Sequence, residues 1–134
     1  MTRMQIQDYT FEIDLEKTVE YYKTHGLCDC DTCLRYYAVA KDRLPKLDAF
    51  LSKFGVDISR PDHVFSHEEN GRLFCISVDY TVCGKIAVTG SSEIHIEDEH
   101  HTFIPIITAG FVTPNHQTSD YFTISLDEFY LPFI

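Results

Sequence analysis

The chain has 134 residues, of which 44% are hydrophobic, enough for one domain with a real core and too apolar for global disorder. Its formal net charge of −10 and pI near 4.9 count against binding to nucleic acid or to an anionic membrane, and favour cations or a basic protein partner. The N-terminal stretch MTRMQIQDYTFEIDL lacks an apolar core followed by a small-residue cleavage site, so no signal peptide is expected. No apolar run approaches the roughly 20 residues of a membrane helix. The expected location is therefore cytoplasmic, with the five cysteines reduced.

Tyr9, Phe11, Ile13 and Leu15 alternate with Thr10, Glu12 and Asp14, the pattern of a half-buried strand. Residues 18 to 23 fit either its hairpin partner or part of a helix over 16 to 24. A helix is expected over 32 to 42 from the spacing of Leu34, Tyr37, Ala38 and Lys41, with Asp31 or Thr32 as N-cap. Pro45 suits the first turn of a second helix over 45 to 54. There Leu47, Phe50, Leu51 and Phe54 make one apolar face, and Gly55 stands where the helix should stop.

Beyond residue 60 the chain reads as β-structure. Asn70-Gly71 is a strong hairpin-turn signal, followed by the aromatic and β-branched run RLFCISVDYTV. Ile94 and Ile96 alternate with Glu93, His95 and Glu97. Pro105 marks an edge strand or bulge within TFIPIIT. Phe122, Ile124 and Leu126 share one face of a last strand. With no repeat and no linker, residues 1–134 form one α+β domain: a mostly antiparallel β-sheet with a two-helix insertion after the first hairpin.

The segment HGLCDCDTCLRYY, residues 25 to 37, holds three cysteines and a histidine within nine residues. His25, Cys28, Cys30 and Cys33 are four soft or borderline donors, the number that tetrahedral zinc needs. Asp29 and Asp31 add negative charge that favours a cation. Two features count against zinc. An extended chain holds Cys28 and Cys30 about 6.6 Å apart at Cα, and structural zinc sites usually join two distant segments; Cys75, Cys83 or His67 would have to come from the sheet. A redox reading uses Cys30-Asp-Thr-Cys33 at a helix start, where the dipole lowers a thiol pKa, against the opposing charges of Asp29 and Asp31. A third reading treats the thiols as small packing groups at a strand-to-helix junction.

Elsewhere, Glu97, Asp98, Glu99, His100 and His101 read as a solvated hairpin tip, and His95 as solvent-facing. Cys33, His25 and Asp31 have the residue types of a catalytic set, yet they are sequence neighbours, and no nucleotide-binding, hydrolase or metalloprotease motif is present. No enzyme assignment is supported.

Cys28, Cys30, Cys33, Tyr36 and Tyr37, then Phe50, Leu51, Gly55, Asp57 and Pro61, then Tyr80 and Gly84, resemble a family of small uncharacterised proteins of Gram-positive bacteria. That family has a CxCxxC segment leading into a Tyr-rich helix. The likeness spans roughly residues 25 to 86, and the LPF ending is similar to the family's terminal Leu-Pro-Trp. The chain departs from it at Leu34-Arg35, where the family has Arg-Asn, and in lacking that Trp. The resemblance implies a shared fold and no mechanism. Two functions are expected from different classes. One is a cytosolic, non-enzymatic protein-binding domain, immunity- or antitoxin-like, with a basic protein partner. The other is a small zinc-binding or thiol-dependent enzyme centred on Cys28, Cys30 and Cys33. The cofactor is none or one zinc ion.

Overall fold

The computed structural model describes residues 1–98, 101–109 and 120–132. Strands β1 (Thr2–Ile6) and β2 (Tyr9–Ile13) pair antiparallel through a turn in which Gln7 takes φ of 54°. β1 is mostly polar, with only Met4 and Ile6 half-buried, so its alternation is weak in sequence. Residues 18 to 23 are not a strand. They belong to helix α1 (Leu15–Thr24), capped by the Asp14 carboxylate, which accepts from the Lys17 amide at 3.0 Å.

Helix α2 (Asp31–Arg43) follows and then α3 (Pro45–Ser52), so the insertion after the first hairpin holds three helices, not two. The N-cap of α2 is Cys30, one or two residues before the expected Asp31 or Thr32. Gly55 ends the α3 region with φ of +81°, a left-handed conformation that suits glycine.

The strands that follow are β3 (His63–Glu69), β4 (Arg72–Val88), β5 (Ile96–Asp98), β6 (His101–Phe103), β7 (Ile106–Ala109) and β8 (Tyr121–Pro132). Asn70 and Gly71, both with positive φ, turn β3 into β4 as the sequence predicts. The main sheet runs β1-β2-β4-β8-β7, with β3 also on β4, and its pairings are antiparallel. β5 and β6 form a separate hairpin. Pro105 lies in the connection between β6 and β7, outside both strands, so TFIPIIT is split into two strands, and β7 ends the strand order.

The inward rows on β4 and β8 step together. Leu73 and Cys75 are buried on β4, then Val78, Tyr80 and Val82; on β8 the row is Leu131 and Phe129, then Leu126, Ile124 and Phe122. Both strands lose alternation at the same place, where Glu128 takes φ of 46° opposite the stretch around Ile76. Because the two irregularities coincide, neither strand turns its apolar row to solvent.

Against this row pack the apolar faces of the helices. Leu47, Phe50, Leu51 and Phe54 are all buried, as are Phe11, Ile13, Phe122 and Ile124, in agreement with the expected core. Phe11 stacks on Phe122 at 5.3 Å and meets the edge of Phe54 at 5.1 Å.

β4 is longer than either neighbour on one side. β3 pairs with it over residues 72 to 79 and β2 over 84 to 88, leaving residues 80 to 83 without a strand there. Helix α1 fills the gap. The Tyr22 hydroxyl accepts from the Thr81 amide at 2.8 Å and donates to the Thr81 carbonyl at 2.7 Å. Thr18 Oγ1 accepts from the Cys83 amide at 3.1 Å, and the Asp14 amide donates to the Cys83 carbonyl at 2.9 Å. Thr18 and Tyr22 are four residues apart, on one helical face. The segment that resembled a strand is a helix whose side chains complete the ladder.

Among the described residues no helix is long and apolar enough to cross a membrane.

Candidate metal centre

Residues 25 to 30 connect α1 to α2, and side chains from other segments hold two of their carbonyls. The Arg60 guanidinium donates to the His25 carbonyl at 3.1 Å. The Tyr37 hydroxyl, from one turn along α2, donates to the Cys28 carbonyl at 2.9 Å. The Leu34 amide donates to the Cys30 carbonyl at 3.0 Å, the first helical bond of α2. Cys30 and Cys33 are therefore three apart across the first helical turn, where side chains converge.

The result is a group of three thiols. The sulfurs of Cys28, Cys30 and Cys33 all lie within 4.8 Å of one another. The separation demanded by tetrahedral zinc with 2.3 Å bonds is about 3.8 Å, so closing on a metal needs a contraction of at most about 1 Å. Side-chain rotation supplies movements of that size. The bend of the loop removes the spacing objection to Cys28 and Cys30.

The three thiols have unlike surroundings. Cys28 and Cys30 are exposed, whereas Cys33 is buried at 4% exposure. The packing-group reading therefore fits Cys33, Cys75 and Cys83, which are buried, and fails for the other two. No cysteine is in a disulfide.

Hydrogen bonds from the Cys33 thiol, the Cys33 amide, the Thr32 hydroxyl and the Cys28 thiol bring Cys30 down to about 6. They outweigh the opposing effect of desolvation. Burial pushes Cys33 up to about 12, reinforced by its two neighbouring thiols. Tyr37 is also raised, first by burial and then by the Cys33 thiol.

His25, expected as the fourth donor, is not part of the group. Its ring is buried and stacked on Tyr21, with centroids 4.7 Å apart and planes 7° apart. Its Nδ1 lies 3.0 Å from the Tyr21 carbonyl, an acceptor, which places the proton on that nitrogen. The possible sheet donors do not join either. Cys75 is buried and pushed up to about 12 by desolvation. Cys83 is buried, and His67 meets the edge of Phe74 beside Glu69. Neither His25 nor Asp31 falls in a group with Cys33, so that set is not assembled.

At the β5–β6 hairpin the structure corrects the expectation of full solvation for Asp98 and His101. Asp98 accepts from the Lys46 and Leu47 amides at 2.9 Å each, capping α3 from another segment. His101 is half-buried against Phe103 and Phe129, and burial lowers its pKa. Glu97 and His95 are exposed as expected, while Glu99 and His100 lie outside the described residues.

Sequence reasoning missed Tyr37 and Arg60 as supports of the cysteine loop. Tyr37 carried a signal, standing four residues after Cys33 on the same helix. Arg60 carried none, because its contact joins segments 35 residues apart.

Comparisons with family models, curated proteins and solved structures return no match for this chain.

Proposed function

We propose that the chain is a non-catalytic metal-binding domain in which Cys28, Cys30 and Cys33 hold one zinc ion as thiolates. The observation that carries the reading is the approach of three sulfurs to within 4.8 Å, two of them open to solvent. Buried packing needs no such exposure, and an exposed thiol cluster gives an ion an entry path. Asp29 and Asp31 are exposed beside it and attract a cation. The fourth position is filled by solvent or by a donor from outside the group. A reducing, cytoplasmic setting keeps the thiols available.

Untagged protein purified under reducing conditions should carry one zinc per chain by elemental analysis, and the Cys30→Ser variant should carry none. Metal-free wild type whose affinity for zinc equals that of Cys30→Ser would defeat the reading.

A second reading, binding of a basic protein, draws support from the outer face of β3, β4 and β8. Phe65 is 71% exposed there, near the half-exposed Ile76 and Tyr130 and the exposed acids Asp127 and Glu128. Its test is salt-sensitive binding of a lysine-rich peptide, lost in Phe65→Asp. Equal binding by that variant would rule the surface out.

A further inference from the structure

We infer that the three-thiol site takes a three-coordinate thiophile, trivalent arsenic, in preference to zinc. The inference rests on the metal-binding reading above and names the class of ligand that the site fits best.

The coordination number of the site suits arsenic. Among the described residues the group contains three thiols and no fourth histidine, cysteine or carboxylate donor. A structural zinc site is closed by four protein ligands, so this one leaves zinc short by one. Trivalent arsenic bonds three sulfurs in a pyramid, with its lone pair at the fourth corner. Asp29 and Asp31 lie nearest in sequence and His25 is the nearest histidine, and none of the three falls in the group.

The charge of the site also suits arsenic. Three thiolates and a zinc ion leave a net charge of −1 beside the exposed Asp29 and Asp31, on a chain that already carries −10. A tris-thiolate of trivalent arsenic is neutral, so it adds no repulsion to an acidic surface.

The chemistry closes without another reagent. Arsenous acid, As(OH)3, meets three thiols. Three As–O bonds break and three As–S bonds form, and each thiol proton leaves with a hydroxide as water. No atom changes oxidation state, and Cys33 need not ionise beforehand in its buried setting. Cys28 and Cys30 are exposed and start the condensation, and Cys33 closes it from the protein side.

The test uses the reduced, full-length, metal-free chain with arsenite, zinc and phenylarsine oxide as probes. Native mass spectrometry should show a gain of one arsenic and a loss of three protons; capture by two thiols would retain a hydroxyl. Arsenite should displace bound zinc into a chromogenic chelator. Cys28→Ser and Cys30→Ser alter exposed side chains and should keep the fold, checked by circular dichroism. Both should weaken arsenite binding by on the order of 100-fold. Phenylarsine oxide needs only two thiols and should lose much less. Zinc bound at one per chain with no arsenite adduct would overturn this inference and leave the zinc reading standing. An arsenite adduct that survives Cys28→Ser unchanged would overturn it as well. Failure of both probes would remove the zinc reading too.

Discussion

The gap in β4 at residues 80 to 83 and the cysteine loop at 25 to 30 face the same problem and solve it differently. In both, the backbone leaves a regular ladder and its polar groups need partners. In the gap, Tyr22 and Thr18 of α1 and its N-cap Asp14 supply those partners, and Thr81 and Cys83 are buried. In the loop, Arg60 and Tyr37 hold two carbonyls, while the Cys28 and Cys30 side chains stay in solvent. The first arrangement is closed and serves stability. The second is held in place yet open, which is what a binding site requires.

Substitutions on the closed side should have the largest effects on stability. Phe54→Ala removes a fully buried ring that meets Phe11, Phe50 and Phe122, and should cost about 3 to 5 kcal/mol in urea unfolding. Tyr22→Phe keeps the ring but strands the Thr81 amide and carbonyl, and should cost about 2 to 4 kcal/mol. A loss below about 0.5 kcal/mol for Tyr22→Phe would show that α1 does not complete the ladder.

The open side should respond in binding and hardly in stability. Tyr37→Phe frees the Cys28 carbonyl and should weaken zinc binding by roughly 10-fold, through loss of ligand orientation. Its unfolding midpoint in the metal-free state should barely move, because that bond is exposed. An unchanged zinc affinity would remove Tyr37 from the site.

Cys30 gives a smaller and sharper contrast. In the metal-free chain its alkylation by iodoacetamide should rise through a midpoint near pH 6, while Cys33 stays unreactive until far higher pH. A thiol whose folded pKa lies below its ordinary value of 9.0 stabilises the fold above that value. That contribution fades as pH falls through about 6. Cys33 acts in the opposite sense above its ordinary value. A Cys30 midpoint near 9 would mean that the hydrogen bonds around it do not hold in solution.

The two regions also differ in how far they could be read from sequence. The core helices were legible because Leu47, Phe50, Leu51 and Phe54 repeat with helical period, and the β3–β4 turn because Asn70-Gly71 accepts positive φ. The cysteine cluster was legible as a group of donors, but its composition was not. Whether His25 joins the thiols depends on its stacking with Tyr21, and tyrosine and histidine four apart on a helix predict contact without saying which way the ring faces. The role of α1 escaped because Thr18 and Tyr22 are a helical pair doing a strand's work. A local period identifies an element and is silent on which distant backbone it completes. Asp98 was misplaced for the same reason, since its partners lie about 50 residues away at the start of α3.

X-ray absorption at the zinc edge of the zinc-loaded chain tests the three-thiol centre most directly. Three sulfurs at about 2.3 Å and one nitrogen or oxygen are expected in the shell around each zinc. A shell of oxygen and nitrogen alone would contradict it.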